Sequence, residues 1–451
     1  MDSMTEPAVK VLVAAHSHPA ITKGGAEIAA WRLYEDIAAR PGWRAWFMGC
    51  AREVGAGRAG SVITQPFSDN EFVYAPSAFD WFKFANQDKQ YPRDLELLLR
   101  DIKPDIVHFH HYVNYGVETF LHVKRALPQC QIVLTLHEFQ AICNHYGQMV
   151  TKEKKSLCYA SSPRDCNKCF PEFSRTDFFL RKAYITRFLD LVDQFVSPSA
   201  FLAERYVEWG IPAAKMTVLE NVTTPAQDLG FPGLDADPDI LRVGFFGQIS
   251  FLKGIHVALD AAKLLEEEGV TNIQLEIHGD YTSQPPEFQT DFLERLQKAG
   301  RNVRYHGPYE NHRVDGLMRG VDLVVVPSIW WENSPVVIQE CLRNRRPIVC
   351  SNIGGMAEKV RNEKDGFHFA VGSPIELAAL LRGLARDRER LARVVRGMRH
   401  PDPPELAVDR HLELYRRLLG QTAAPAEQAN IASLSFPPPL EGGAGGRGDT
   451  Q

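Results

Sequence analysis

The chain has no long apolar run. Nothing in its 451 residues approaches the uninterrupted length of about 20 residues that a membrane-spanning helix needs. It also lacks a basic excess. Lys and Arg number 51 against 56 Asp and Glu, a net charge of −5, which argues against a dedicated nucleic-acid binder. There is no G-x-G-x-x-G dinucleotide fingerprint and no G-K-[ST] phosphate loop. No export leader is visible: the first apolar run, residues 9–15, contains Lys10 and follows Asp2 and Glu6, so it reads as a first strand. The expected compartment is the cytoplasm, with peripheral contact at the inner face of the membrane left open. What remains is ordinary globular composition, 44% hydrophobic and 24% charged, in a chain too long for one core.

Short β-branched runs at residues 9–15, 43–49, 105–111, 131–138, 194–199 and 216–221 alternate with helical stretches. That rhythm predicts a parallel, doubly wound sheet. Residues 223–239 are rich in Pro, Gly and Asp and read as a linker. Asp235-Ala236-Asp237 inside it has D-x-D metal-motif form, but no apolar strand precedes it, and it reads as solvated charge. The rhythm restarts at residues 241–247, 273–279, 303–307, 322–328 and 347–352. The fold class is therefore α/β, with two Rossmann-like domains, 1–222 and 240–400, and a cleft between them. An amphipathic helix follows within 401–420, and 421–451, dominated by Ala, Pro, Gly and Ser, reads as a disordered tail.

Residues 326–340, V-P-S-I-W-W-E-N-S-P-V-V-I-Q-E, hold the densest chemistry. A buried strand leads into a helix for which Ser334 is the expected N-cap and Pro335 the first helical position. Such a junction is an anion site, because free N–H groups and the helix dipole meet whatever lies above the sheet. Glu332 and Glu340 bracket it. The axial rise from Ser334 to Glu340 is about 9 Å, comparable with the span from a sugar to a ribose across a diphosphate. Gly24-Gly25, between the first strand and its helix, either lets a ligand approach the backbone or makes a tight turn.

These segments resemble the family-4 retaining glycosyltransferases of the two-domain GT-B type. The resemblance rests on P-S-x-W-x-E-N-x-P ending at Pro335, the Glu332/Glu340 pair, G-G-x-E at Gly24, T-L-H-E ending at Glu138, G-Q-x-x-x-x-K-G from Gly247 to Gly254, and G-G-x-x-E ending at Glu358. It implies transfer of a sugar from a nucleotide diphosphate to an acceptor hydroxyl with retention and no obligatory cofactor or divalent metal. It implies catalytic roles for Glu332 on the sugar hydroxyls, His137 on the transferred sugar and Lys253 on the diphosphate. Gly24, Gly25, Gln248, Asn333, Ser334, Val336, Val337 and Glu340 complete the donor-binding set, with Glu340 on the ribose. Gln248 departs from the family, which has arginine there. The implied partners are a nucleotide-diphosphate sugar and a glycan, lipid-linked or small-molecule acceptor. Two alternatives stay open: a non-catalytic nucleotide-sugar sensor or partner subunit, suggested by Gln248, and a sugar-nucleotide epimerase.

An insertion at 140–175 carries Cys143, Cys158, Cys166 and Cys169, spaced C-x14-C-x7-C-x2-C. They are either a structural zinc site or unliganded thiols; zinc is favoured over disulfides in a reducing compartment. Cys50, Cys130, Cys341 and Cys350 look like small core residues. The aromatic stretch 170–195, with Arg175, Arg181, Lys182 and Arg187, reads either as a membrane-surface or anionic-lipid segment or as a helix packed on the sheet. Residues 74–91, with Trp81, Phe82 and Phe84, are the expected source of acceptor specificity. His16, His108, His110 and His111 fall at strand ends, as cleft or metal-binding groups or as satisfied core histidines.

Overall fold

A computed structural model describes residues 9–22, 24–51, 60–222 and 239–421. The linker through residue 238, with Asp235-Ala236-Asp237, and the tail from residue 422 lie outside the described residues. Among the described residues, ten strands belong to the first half: β1 (Val9–Ala14), β2 (Trp43–Cys50), β3 (Ile63–Thr64), β4 (Glu71–Tyr74), β5 (Phe79–Asp80), β6 (Ala85–Asn86), β7 (Ile106–Phe109), β8 (Gln131–Thr135), β9 (Gln194–Ser197) and β10 (Met216–Val218). Six belong to the second: β11 (Leu241–Phe246), β12 (Ile273–His278), β13 (Val303–Gly307), β14 (Leu323–Val326), β15 (Ile348–Ser351) and β16 (Gly366–Phe369).

The first sheet has the order β10-β9-β8-β7-β1-β2-β4-β3, parallel except where β3 pairs with β4. The second runs β13-β12-β11-β14-β15-β16 and is parallel throughout. Strands such as β1, β7 and β14 are continuous apolar runs because helices cover both faces. In each sheet the strand order reverses once, between β1 and β7 and between β11 and β14. Ligands on doubly wound sheets lie beyond the strand ends at that reversal. The loops leaving these four strands are 15–24, 110–118, 247–254 and 327–335, and of the expected catalytic and donor-binding residues they hold Gly24, Gln248, Lys253, Glu332, Asn333 and Ser334.

Each sheet has its own apolar core. The helix Pro404–Leu418 does not pack on the second. Its Val408, Leu412 and Tyr415 join Val11, Val13, Ala45 and Ile106 of the first sheet. The Tyr415 hydroxyl lies 2.5 Å from His108 Nδ1, and His108 Nε2 lies 2.7 Å from Thr135 Oγ1. His108 is thus a satisfied core histidine, its pKa held well below the ordinary value by burial.

The helix Arg175–Leu189 buries Phe178, Arg181, Ile185 and Leu189 on the first sheet. Among the described residues no helix is long and apolar enough to cross a membrane. Tyr415→Phe removes one partner of a fully buried ring nitrogen and should destabilise the fold by about 1–3 kcal/mol in urea unfolding. An unchanged midpoint would mean that this bond does not hold the last helix.

Candidate active site

The second sheet builds its half of the site by bringing two loops into backbone contact. Gly254, with φ +71°, caps the helix Ile255–Glu267, and a Cβ there would lie 1.9 Å from the Pro327 carbonyl oxygen. Only glycine permits both the left-handed backbone and that approach. It puts Lys253 beside the 327–335 loop, where Nζ donates to Glu332 Oε1 at 2.6 Å. Ser328 Oγ and Trp330 Nε1 donate to the same oxygen, each at 2.9 Å. Below them the Gly355 amide donates to the Glu332 carbonyl at 2.7 Å, and a Cβ on Gly355 would lie 1.7 Å from the Asn333 carbonyl oxygen. The glycine pair of the G-G-x-x-E segment therefore supports the Glu332–Asn333 backbone.

The next helix is Val336–Arg343. Pro335, at φ −60° and ψ 125°, is extended and occupies the N-cap position, so the expected capping role of Ser334 is corrected. The Ser334 hydroxyl instead donates to Glu220 Oε1 at 2.6 Å, a bond strengthened by the carboxylate's charge, and the helix starts only at Val336. Val336 and Val337 still begin the helix, where first-turn amides have no intrahelical acceptor. Glu340 is buried on this helix, and burial pushes its pKa up to about 7, with Arg343 opposing and Asp315 reinforcing the shift. Gln248 stays outside the cluster, exposed, with Nε2 3.4 Å from Ser283 Oγ.

The first sheet faces this half directly. A Cβ on Gly25 would lie 3.5 Å from Val336 Cγ2, so the Gly24-Gly25 turn sits opposite the helix start. Asn333 Nδ2 donates to the His137 carbonyl at 2.8 Å. The His137 ring lies 3.1 Å, Nε2 to Nδ1, from His110. Burial, with His111 and His16 adding to it, pushes its pKa down to about 3, so it is a neutral hydrogen-bonding group near pH 7. His16 pairs with Glu27 at 3.1 Å, and His111 lies 3.2 Å from Glu138, whose pKa burial pushes up to about 8.

Two glutamates join the halves: Glu220, which the sequence did not single out, and Glu358, the last residue of the G-G-x-x-E segment. Glu220, just past β10, accepts from Ser334, from Gln339 at 2.9 Å and from Lys359 at 2.6 Å. Glu358 accepts from the amides of Ala200 and Phe201, both at 2.9 Å, and so caps the helix Ala200–Trp209 across the cleft. A polar residue directly after a strand was the only signal for Glu220; its partners are over a hundred residues away.

None of the eight cysteines is in a disulfide. Cys143, Cys158, Cys166 and Cys169 line one cavity of about 50 Å³. Among the described residues, however, no three His, Cys, Asp or Glu side chains are grouped so as to hold a metal ion. The expected zinc ligands share a neighbourhood without converging, and the same finding leaves the strand-end histidines without a metal-binding grouping.

With this geometry in hand, the chain matches the glycosyl transferases group 1 family over residues 232–400 and Glycosyltransferase Family 4 over residues 23–226. The lipopolysaccharide 1,2-N-acetylglucosaminetransferase of Salmonella typhimurium is 28% identical over 210 residues, 44% of this chain and 54% of that protein. A D-inositol 3-phosphate glycosyltransferase of Corynebacterium urealyticum is 25% identical over 70% of this chain and 72% of its own length. The chain spans about half the length of most curated relatives it matches. In fold it is similar to Anabaena HepE solved with UDP (TM-score 0.61, 17% identity, 92% and 99% of the two chains). It is likewise similar to a sucrose-phosphate synthase from Thermosynechococcus elongatus (TM-score 0.65, 17% identity, 92% and 100%). The architecture is that of a GT-B glycosyltransferase. The chain belongs to glycosyltransferase family 4.

Glu220→Ala strips an acceptor from Ser334, Gln339 and Lys359 at once. It should lower stability by about 2–3 kcal/mol and speed proteolysis between the two halves, with Glu220→Gln intermediate. Equal proteolysis rates in the variant and the wild type would show that Glu220 does not tie them.

Proposed function

We propose that the protein transfers a sugar, with retention at the anomeric carbon, from a nucleoside diphosphate sugar to an acceptor hydroxyl in the cytoplasm, without an obligatory divalent ion. The observation that carries this is the Lys253–Glu332 pair at the start of the Val336–Arg343 helix, facing Gly25 and His137 across the cleft. Cleavage of the anomeric bond leaves negative charge on the diphosphate. Fixed donors in a closed cleft stabilise such charge most effectively. Lys253 and the Val336 and Val337 amides supply them in this reading. Glu332 and neutral His137 hold the sugar hydroxyls from the two sides, Asn333 fixes the closed backbone, and Glu340 takes the ribose. HepE, solved with UDP, makes uridine diphosphate sugars the first donors to try.

Donor consumption over a nucleotide-sugar panel tests this reading. Glu332→Ala should lower kcat and Glu340→Ala should mainly raise donor KM. Lys253→Ala should cost about 3 kcal/mol of transition-state stabilisation. Gln248→Arg should tighten donor binding or leave it unharmed. A wild type that binds donor without turnover, beside an active arginine variant, would favour the sensor alternative. Isomerisation of donor without acceptor would favour the epimerase.

Glu340 adds a pH dependence. Ribose hydroxyls donate to a carboxylate, so binding favours the ionised form, and with a free-protein pKa of about 7 that form is lost as pH falls. Donor affinity should be flat above about pH 7 and weaken toward a limit of about tenfold per pH unit below it. Calorimetry of Glu340→Gln should lose this slope; a slope retained in that variant would place the titration elsewhere.

A structural zinc on the four insertion thiols belongs to the proposal as well, and binding it would require the thiols that line their shared cavity to turn toward one another. Protein purified without chelator should carry about one zinc per chain, released by Cys166→Ser. Metal analysis that finds none would leave the thiols as cavity lining.

A further inference from the structure

The hairpin of β5 and β6 and the cysteine-bearing insertion enclose an open cleft of about 490 Å³, within the range of about 300–1,000 Å³ usual for ligand sites. We propose that this cleft binds the saccharide part of the acceptor, an uncharged oligosaccharide chain, a reading that rests on the glycosyltransferase assignment and names its acceptor class. The lining has the chemistry of a sugar ring. Trp81 and Tyr146, 48% and 77% exposed, offer aromatic surface for the C–H faces. Gln140, Asn144 and Glu172 stand among them as partners for hydroxyls. Gln140 Oε1 is buried and has no hydrogen-bond partner. An acceptor atom left so is a cost that would be removed if the amide turned toward a ligand hydroxyl in the cleft. An acyl chain would leave Gln140, Asn144 and Glu172 facing hydrocarbon, which is unfavourable without hydrogen bonds. Lys152 and Glu172 bring offsetting charges, which suits a neutral chain better than an anionic one.

The cleft is also preformed. Arg181, buried on the helix Arg175–Leu189, donates to the carbonyls of Phe82 at 2.7 Å, Gln140 at 2.7 Å and Ala141 at 2.6 Å, tying the hairpin to the insertion. Phe82 stacks on Phe173 with ring centroids 4.0 Å apart, and Lys152 Nζ sits 3.8 Å from the Phe170 ring centre. Tyr146, at φ +49°, is presented by a left-handed turn that Gly147 completes. A Cβ on Gly147 would lie 2.8 Å from the Gln140 amide nitrogen. Holding a tyrosine in that backbone region is unfavourable, and a largely exposed ring, tilted against the His145 ring, gives little packing in return, which fits a ring kept for a ligand. Gln140 follows His137 by three residues, so their Cα atoms are at most about 11 Å apart. The edge of the cleft at Gln140 therefore lies within one or two sugar rings of His137.

The test uses the full chain, saturation-transfer NMR and separate gluco-, manno-, galacto- and N-acetylglucosamine tetrasaccharides. At least one should bind the wild type, and Trp81→Ala with Tyr146→Ala should weaken that binding about tenfold. Trp81→Phe with Tyr146→Phe should restore it, and the melting shift given by nucleotide sugars should be the same in all three proteins. Binding of no tetrasaccharide, or equal binding by the alanine variant, overturns the proposal. So does a variant defect seen only with equimolar phosphatidylethanolamine–phosphatidylglycerol vesicles, which would make the cleft a lipid site. A nucleotide-sugar shift and turnover that persist alongside such a result leave the transferase reading intact. Their absence defeats that reading, and tetrasaccharide binding then marks the cleft of a carbohydrate-binding protein rather than an acceptor site.

Discussion

Glu332 carries a carboxylate that is 7% exposed at the carboxyl edge of the second sheet. Burying such a charge costs several kcal/mol unless a cation and further donors meet it. Lys253, Ser328 and Trp330 all converge on one of its oxygens. Meeting that requirement fixes the loops around it. Lys253 arrives only if the 247–254 loop touches the Pro327 carbonyl, hence Gly254, and the Glu332 backbone rests on the loop after β15 only if nothing projects there, hence Gly355. Three strands thus deliver their loops to one carboxylate. Residues far apart in the chain form a single constellation for electrostatic reasons before any ligand arrives.

The contact between the halves is of a different kind from either core. It is made of directional polar bonds: Asn333 to the His137 carbonyl, Ser334, Gln339 and Lys359 to Glu220, and Glu358 to a helix N-terminus. Its apolar component is small and centres on Trp331, which packs on Phe201 and Tyr159 and donates to the Cys158 carbonyl at 3.0 Å. Polar interfaces between domains exchange their bonds with water at little net cost, so relative motion of the halves is expected. The cysteine insertion takes part in this contact through Cys158 and Tyr159.

How much of this was legible follows from the range of each interaction. The buried strands announce themselves through β-branched runs, and β1, β7, β11 and β14 fall where the sequence places them. Short elements give no such signal: β3, β5 and β6 have two residues each, and β16 is Gly-Phe-His-Phe. Glu332, Lys253, Asn333 and His137 were visible as motif residues, and the fold brings them into contact. Ser334 was misread because Ser-Pro before an apolar run is the local signature of a cap. The helix starts one residue later than that signature implies, at Val336, and the Ser334 hydroxyl pairs with Glu220, 114 residues away. His108 and His110 alternate alike with apolar neighbours, yet His108 is held by Tyr415, 307 residues away, and His110 meets His137. Local pattern cannot separate a core histidine from a cleft histidine when the deciding partner is that remote.

The same logic gives Gln248 a consequence. In the free protein Lys253 is committed to Glu332, while the amide at 248 sits outside the cluster. On the transferase reading a diphosphate must draw Lys253 away, and Glu332 would then face a buried, partly unmet charge. Ser328 and Trp330 still hold it, and sugar hydroxyls are donors that replace the ammonium. Phosphate binding and sugar binding are thereby coupled: a bare nucleoside diphosphate takes the lysine without compensating the glutamate, whereas a nucleotide sugar does both. An arginine at 248 would supply charge to the diphosphate without this exchange and loosen the coupling. On the same reading, glutamine there would leave discrimination between donor and spent nucleotide to the Lys253–Glu332 pair, which would favour release of product once the sugar has left.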